Sequence, residues 1–191
     1  MEKFIKQLKK QQSGKKVLVL FLLTNIVYAY MLLVSIPATM EFSNGLQLLD
    51  MMPAGYDLEY VNTLFETLGN TGRQIYLTKQ IPVDMIYPLL FGIAYAAILA
   101  YFLKKLPKLN HYYLYLCLLP IIACIADYIE NIGIITMLNA YPTVTETSVH
   151  TTSIFSIIKS STTSIYFIVL IVVLIILGFR RLKSGSKNFQ Q

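Results

Sequence analysis

The sequence predicts an all-α fold: an integral membrane four-helix bundle, one domain over residues 1–191. Both termini are expected in the cytoplasm, with a short amphipathic helix in the first extracytoplasmic loop. Three observations predict this. The chain is 55% hydrophobic and 14% charged, with a mean hydropathy of +0.58, whereas soluble domains carry about 25% charged residues. Four stretches reach the ~20 apolar residues that a helix needs to cross a bilayer. The basic residues cluster in alternate connecting segments, as the positive-inside rule requires.

The first span is expected at about 17–36, VLVLFLLTNIVYAYMLLVSI. It follows a lysine-rich stretch, but its apolar run exceeds the ~7–15 residues of a signal-peptide core, so we read it as a span. The second is expected at about 81–103, the third at about 112–138 and the fourth at about 154–179, around the unbroken core IYFIVLIVVLIILGF.

Lysines crowd the N-terminal tail (Lys3, Lys6, Lys9, Lys10, Lys15, Lys16). They recur between spans two and three (Lys104, Lys105, Lys108) and, with arginines, after span four (Arg180, Arg181, Lys183, Lys187). The first outer loop, 37–80, holds five acidic residues against Arg73 and Lys79, and the last loop has Glu146 and no Lys or Arg. The +6 net charge is thus a topology signal and an anionic-lipid contact, not a nucleic-acid surface.

Within the 44-residue first loop, Leu58, Val61, Leu64, Phe65 and Leu68 recur at helical spacing. Gly69 or Gly72 ends that helix. Cys117 and Cys124 lie seven apart on nearly one helix face and read as small apolar packing residues. His111 and His150 fall on opposite sides of the predicted membrane, so they cannot share a metal, and no metal site or cofactor is predicted. No HExxH, nucleophile elbow or Walker motif is present.

The polar residues inside the spans are the candidate site. Asp127, Glu130 and Asn131 share one face of span three by their i, i+3, i+4 spacing. Asp127 falls ~22 Å along a ~30 Å hydrocarbon layer, in its outer half. Asp84 sits in the first turn of span two with Tyr87 on the same face, and Lys159 is ~8 Å into span four. Ser35 is the one polar residue of span one that reaches this depth. A charged group facing lipid costs about 2.5–3.5 kcal/mol or more, so these groups should face inward and pair. Lys159 is expected to pair with Glu130 or Asp127, and Arg73 is the best second cation. One carboxylate then remains over, to be protonated, hydrated or bound to a cation. The alternative is that the polar groups are interhelical glue, worth ~0.6 kcal/mol each.

The motifs LGNTGRQIY (68–76), PVDMIYP (82–88), ADYIEN (126–131) and YP (141–142) resemble a family of bacterial four-helix multipass membrane proteins marked by LGxxGRxxY, PxDxxxP and ADxxEN. The resemblance covers roughly residues 64–160. It implies that Arg73, Tyr76, Asp84, Asp127, Glu130 and Asn131 form one set, and it implies no reaction.

Two groups of candidates follow. Asp127, Glu130 and Asp84 are candidate catalytic or proton-handling residues. Arg73, Tyr76, Tyr87, Asn131 and Lys159 are candidate ligand-binding residues. The expected function is a small membrane enzyme or a protein binding a lipid-like or small cationic ligand. The alternatives are a proton- or cation-coupled transporter, and an accessory subunit held together by ion pairs. Expected partners are membrane lipids, with a homo-oligomer or a membrane partner as further options.

Overall fold

The computed structural model describes residues 13–106 and 111–187, side chains at 111, 112 and 183–187 excepted. The expectations resting on Lys3, Lys6, Lys9, Lys10, Lys108, Lys183, Lys187 and the His111 side chain lie outside the described residues. Every described element is helical. Helix α1 (Gly14–Tyr30) passes through a π-helical turn (Met31–Ser35) into α2 (Ile36–Met40). A 3-10 turn (Leu49–Met51) precedes α3 (Leu58–Ile75). A second π-helical turn (Tyr76–Gln80) leads to α4 (Ile81–Asp84) and α5 (Tyr87–Leu103). A 3-10 segment (His111–Leu118), α6 (Leu119–Ala140) and α7 (Glu146–Lys187) complete the chain.

Four helices are long and apolar enough to cross a membrane: Gly14–Met40, Leu58–Leu103, Tyr113–Ala140 and Glu146–Leu182. Each extends beyond the stretch read from hydropathy alone. The second does so most, because the π-helical turn joins α3 to α4 and α5 without an interruption. The outward faces of α1 and α7 are apolar, with Leu18, Leu33, Ile168 and Ile171 exposed, as lipid-facing helices require.

Two of the helix irregularities have the same cause. Pro37 and Pro82 sit in the first turns of α2 and α4, each just after a π-helical turn. Proline has no N–H to give the carbonyl four residues back, and a widened turn accommodates the lost bond. The α3 helix is broken differently. Gly69 has φ +59°, a conformation glycine adopts at low cost, and it divides α3 at the place where the sequence predicts a stop. Asp57 caps the start of α3, accepting from the Tyr60 amide at 2.8 Å. Val61, Leu64, Phe65 and Leu68 form its buried face.

The long helices run antiparallel to their neighbours. Thr24 of α1 donates to the Leu90 carbonyl of α5 at 3.3 Å, Tyr128 of α6 to the Met85 carbonyl at 2.9 Å, and Lys159 of α7 meets Glu130 of α6. Gly92 permits the α5–α6 approach: a Cβ there would lie 3.1 Å from Cys124 Cβ and 3.4 Å from the Pro120 carbonyl. The core has two apolar halves. One, at the end where α1 starts and α7 finishes, includes Val17, Leu99, Leu103, Leu114 and Val173. The other, under the loops, includes Leu48, Leu49, Val61, Leu64, Phe65, Ile134 and Met137. The polar residues lie between the two halves.

Candidate functional site

The site is built around one ammonium. Lys159 projects from α7, one turn after Ser156, towards the α6 face that carries Asp127 and Glu130. Its Nζ lies 2.5 Å from Glu130 Oε2 and 3.4 Å from Asp127 Oδ1, and donates to the Asp50 backbone carbonyl at 3.2 Å. An ammonium has three protons, so these three acceptors saturate it. The Glu130 side chain is 0% exposed. A carboxyl so deeply buried is tolerated because its counter-ion is in contact.

Asp50 is the residue that sequence reasoning missed. It comes from the 3-10 turn of the first loop, not from a span. Its Oδ1 accepts from the Tyr76 hydroxyl at 2.5 Å, and its Oδ2 accepts from Gln80 Nε2 at 2.9 Å. Gln80 Oε1 in turn accepts from Ser35 Oγ at 2.6 Å. The two π-helical turns are therefore joined by Ser35 and Gln80, and the pair leads directly to Asp50. One signal in the sequence marks it: a lone carboxylate inside the apolar run LLDMM.

Asp84 is 4% exposed, and among the described residues its carboxylate has no hydrogen bond and no ion pair. Its backbone carbonyl is better served. A regular helix would pair that carbonyl with the amide of residue 88, but residue 88 is proline. Asn131 Nδ2 replaces the missing donor at 3.1 Å. Asn131 thus holds the junction between α4 and α5, while its own Oδ1 is buried without a partner, as is Glu130 Oε1.

Arg73 is placed away from the carboxylates. Its Nη1 donates to the Phe65 carbonyl at 2.6 Å across the Gly69 break, its Nη2 donates to Asn70 Oδ1 at 2.9 Å, and its guanidinium lies 4.5 Å over the Tyr141 ring. The expected second cation is therefore not in the cluster. Four carboxylates, Asp50, Asp84, Asp127 and Glu130, surround a single lysine.

A cavity of about 440 Å³ opens beside this cluster. Asp50, Asp84, Asp127 and Lys159 line its polar end. Tyr87 and Phe91 of α5 line the rest, together with Tyr28 and Leu32 of α1 and Ser160 and Thr163 of α7. Tyr28 and Tyr87 stack at 5.3 Å. Both α1 and α7 contribute to the walls, and Leu32 of α1 and Ser164 of α7, which line the cavity, are exposed. Tyr76 is buried behind Asp50 and is not part of the wall.

Comparison with protein-family models, with curated proteins and with solved structures returned no match. The site therefore rests on its own geometry. Among the described residues no three His, Cys, Asp or Glu side chains are placed to hold a metal ion. What the site offers is a surplus of carboxyl groups over cations beside an apolar, aromatic-lined space.

Outside the spans, burial raises the Tyr56 hydroxyl well above the ordinary phenol range, with Glu130 as the next cause. Tyr56 accordingly remains neutral, and its buried hydroxyl has no hydrogen-bond partner.

Proposed function

We propose that this is a membrane protein that binds an amphiphile through an amine or other cationic head group, taken up sideways from the lipid between α1 and α7. The observation that carries this reading is Asp84: a carboxylate without a cation on the wall of a cavity whose other walls are apolar and aromatic. A buried charge is stabilised only by a counter-ion or by hydrogen bonds. Lys159 is already saturated, and Asp50 is held by Tyr76 and Gln80, so Asp84 and the free side of Asp127 are left to meet a ligand's positive group. The aromatic faces of Tyr28, Tyr87 and Phe91 suit both a chain and a cation.

In this reading both termini are cytoplasmic and the cavity lies in the outer half of the bilayer. The support is charge: Lys15, Lys16, Lys105, Arg180 and Arg181 all lie at the end opposite the carboxylates. Transport through the bundle is less well supported. The apolar core around Leu99, Leu103 and Val173 gives a charged solute no polar groups to follow.

The test is thermal melting of the purified full chain in detergent with dodecylamine, dodecanol or dodecanoate added. The amine should raise the Tm by several degrees, and Asp84→Asn should abolish that rise without lowering the basal Tm. Equal shifts from amine and alcohol, or an amine shift that persists in Asp84→Asn, would overturn the reading.

A further inference from the structure

The opposite end of the molecule carries a second arrangement that the amphiphile site does not use. Two apolar grooves run along α7 there. One, of about 570 Å³, lies between the end of α5 and α7, walled by Phe102, Leu174 and Leu177. The other, of about 470 Å³, lies between α7 and the 3-10 segment, walled by Leu116, Ile168 and Val172. Arg180 lines both. Lys105 and Arg181 line the first.

Lys105 is held in place by its neighbours. Lys105 Nζ sits 4.1 Å over the Tyr101 ring and 5.7 Å from the Phe102 ring, so its charge is directed to the mouth of the groove. Among the described residues no carboxylate pairs with Lys105, Arg180 or Arg181, and every described acidic residue lies at the carboxylate cluster or beyond it. Gly178 completes the first groove: a Cβ built there meets nothing within 4 Å, which leaves open space where larger side chains of α7 would project.

We propose that this end binds an anionic two-chain phospholipid, its phosphate on Lys105, Arg180 and Arg181 and its two chains in the grooves on either side of α7. Arginine's planar fork matches phosphate oxygens two at a time. Arg180 is the one residue common to both grooves, which fits a head group from which two chains diverge. Apolar walls beneath a cationic rim are what a lipid requires and what a soluble anion does not. The proposal is independent of the amphiphile reading.

The experiment is native mass spectrometry of the detergent-purified full chain, with phosphatidylglycerol and phosphatidylcholine of identical chains in competition. Phosphatidylglycerol should be retained at least about tenfold more tightly, and each single Lys105→Gln, Arg180→Gln or Arg181→Gln substitution should weaken it about fivefold, from one surface charge per substitution. Arg180→Lys should lose part of the preference, because lysine keeps the charge but not the two-oxygen fork. Gly178→Leu should weaken both lipids by filling the groove. Equal retention of the two lipids, or an unchanged preference in all three single variants, would overturn the proposal. So would displacement by millimolar inorganic phosphate, because the chains would then contribute nothing. Melting temperatures of the single variants, expected at the wild-type value without lipid, separate lost binding from lost folding.

Discussion

Lys159 and Glu130 form a buried contact pair, Nζ to Oε2 at 2.5 Å, that ties α7 to α6 at the boundary between the two halves of the core. Removing one partner leaves the other charge without compensation. Lys159→Met should therefore lower stability by about 3–5 kcal/mol, and the double variant Lys159→Met with Glu130→Gln should recover a large part of that. Melting in detergent checks it. A double variant no more stable than Lys159→Met would show that the pair is not the source of the loss.

Asp50 and Asp84 make a contrasting pair. Asp50 accepts two hydrogen bonds, from Tyr76 and Gln80, so Asp50→Ala should destabilise by about 2–3 kcal/mol through unmade bonds. Asp84→Asn should be neutral or stabilising, because the carboxylate it removes is satisfied by nothing among the described residues. Denaturation of the two variants side by side tests the order, which is the prediction.

Asn131 and Pro88 should be coupled. Asn131→Ala leaves the Asp84 carbonyl without a donor, at a cost of about 1–3 kcal/mol. Pro88→Ala supplies a backbone amide at the position a regular helix would use for that carbonyl. The double variant should be more stable than the sum of the singles predicts, by about 0.5–3 kcal/mol. An additive cycle would mean that Asn131 does not compensate for the proline.

Gln80 should matter more than Ser35, although they are partners. Ser35→Ala removes one hydrogen bond, at about 0.5–1.5 kcal/mol. Gln80→Ala strips Ser35 and Asp50 together and should cost about twice as much. Because Asp50 lines the cavity, Gln80→Ala should also weaken the amine-induced rise in Tm, whereas Ser35→Ala should leave most of it.

Arg73→Ala should lower stability by about 1.5–3 kcal/mol, from lost charge-assisted bonds across the Gly69 break, and should leave amine binding intact. If amine binding disappeared while the basal Tm held, Arg73 would be a ligand residue after all.

Much of this molecule was legible in one dimension. The apolar runs locate four helices, because a chain crossing a bilayer must satisfy its backbone internally over a known thickness. Leu64, Phe65 and Leu68 announce the buried face of α3 by their spacing; of the two glycines read as its stop, Gly69 breaks it and Gly72 lies within the helix that resumes. Asp127, Glu130 and Asn131 share a face because α-helical periodicity puts them there, and Lys159 at similar depth follows from the rise per residue. These are properties of position along a regular element.

Asp50 and Arg73 show where that reasoning stops. Both lie in the long segment between the first two spans, where no period relates a residue to its distant neighbours. The path of that segment is set by packing: Leu48 and Leu49 bury beside α3, which carries Asp50 inward to Tyr76 and Gln80. The break at Gly69 turns Arg73 onto Phe65 and Tyr141 instead. So the sequence by itself determined which helices form and which polar groups share each face. Tertiary structure alone decided that Lys159 is saturated and that Asp84 has no counter-ion, because the number of acceptors around one ammonium depends on which loop reaches it in space.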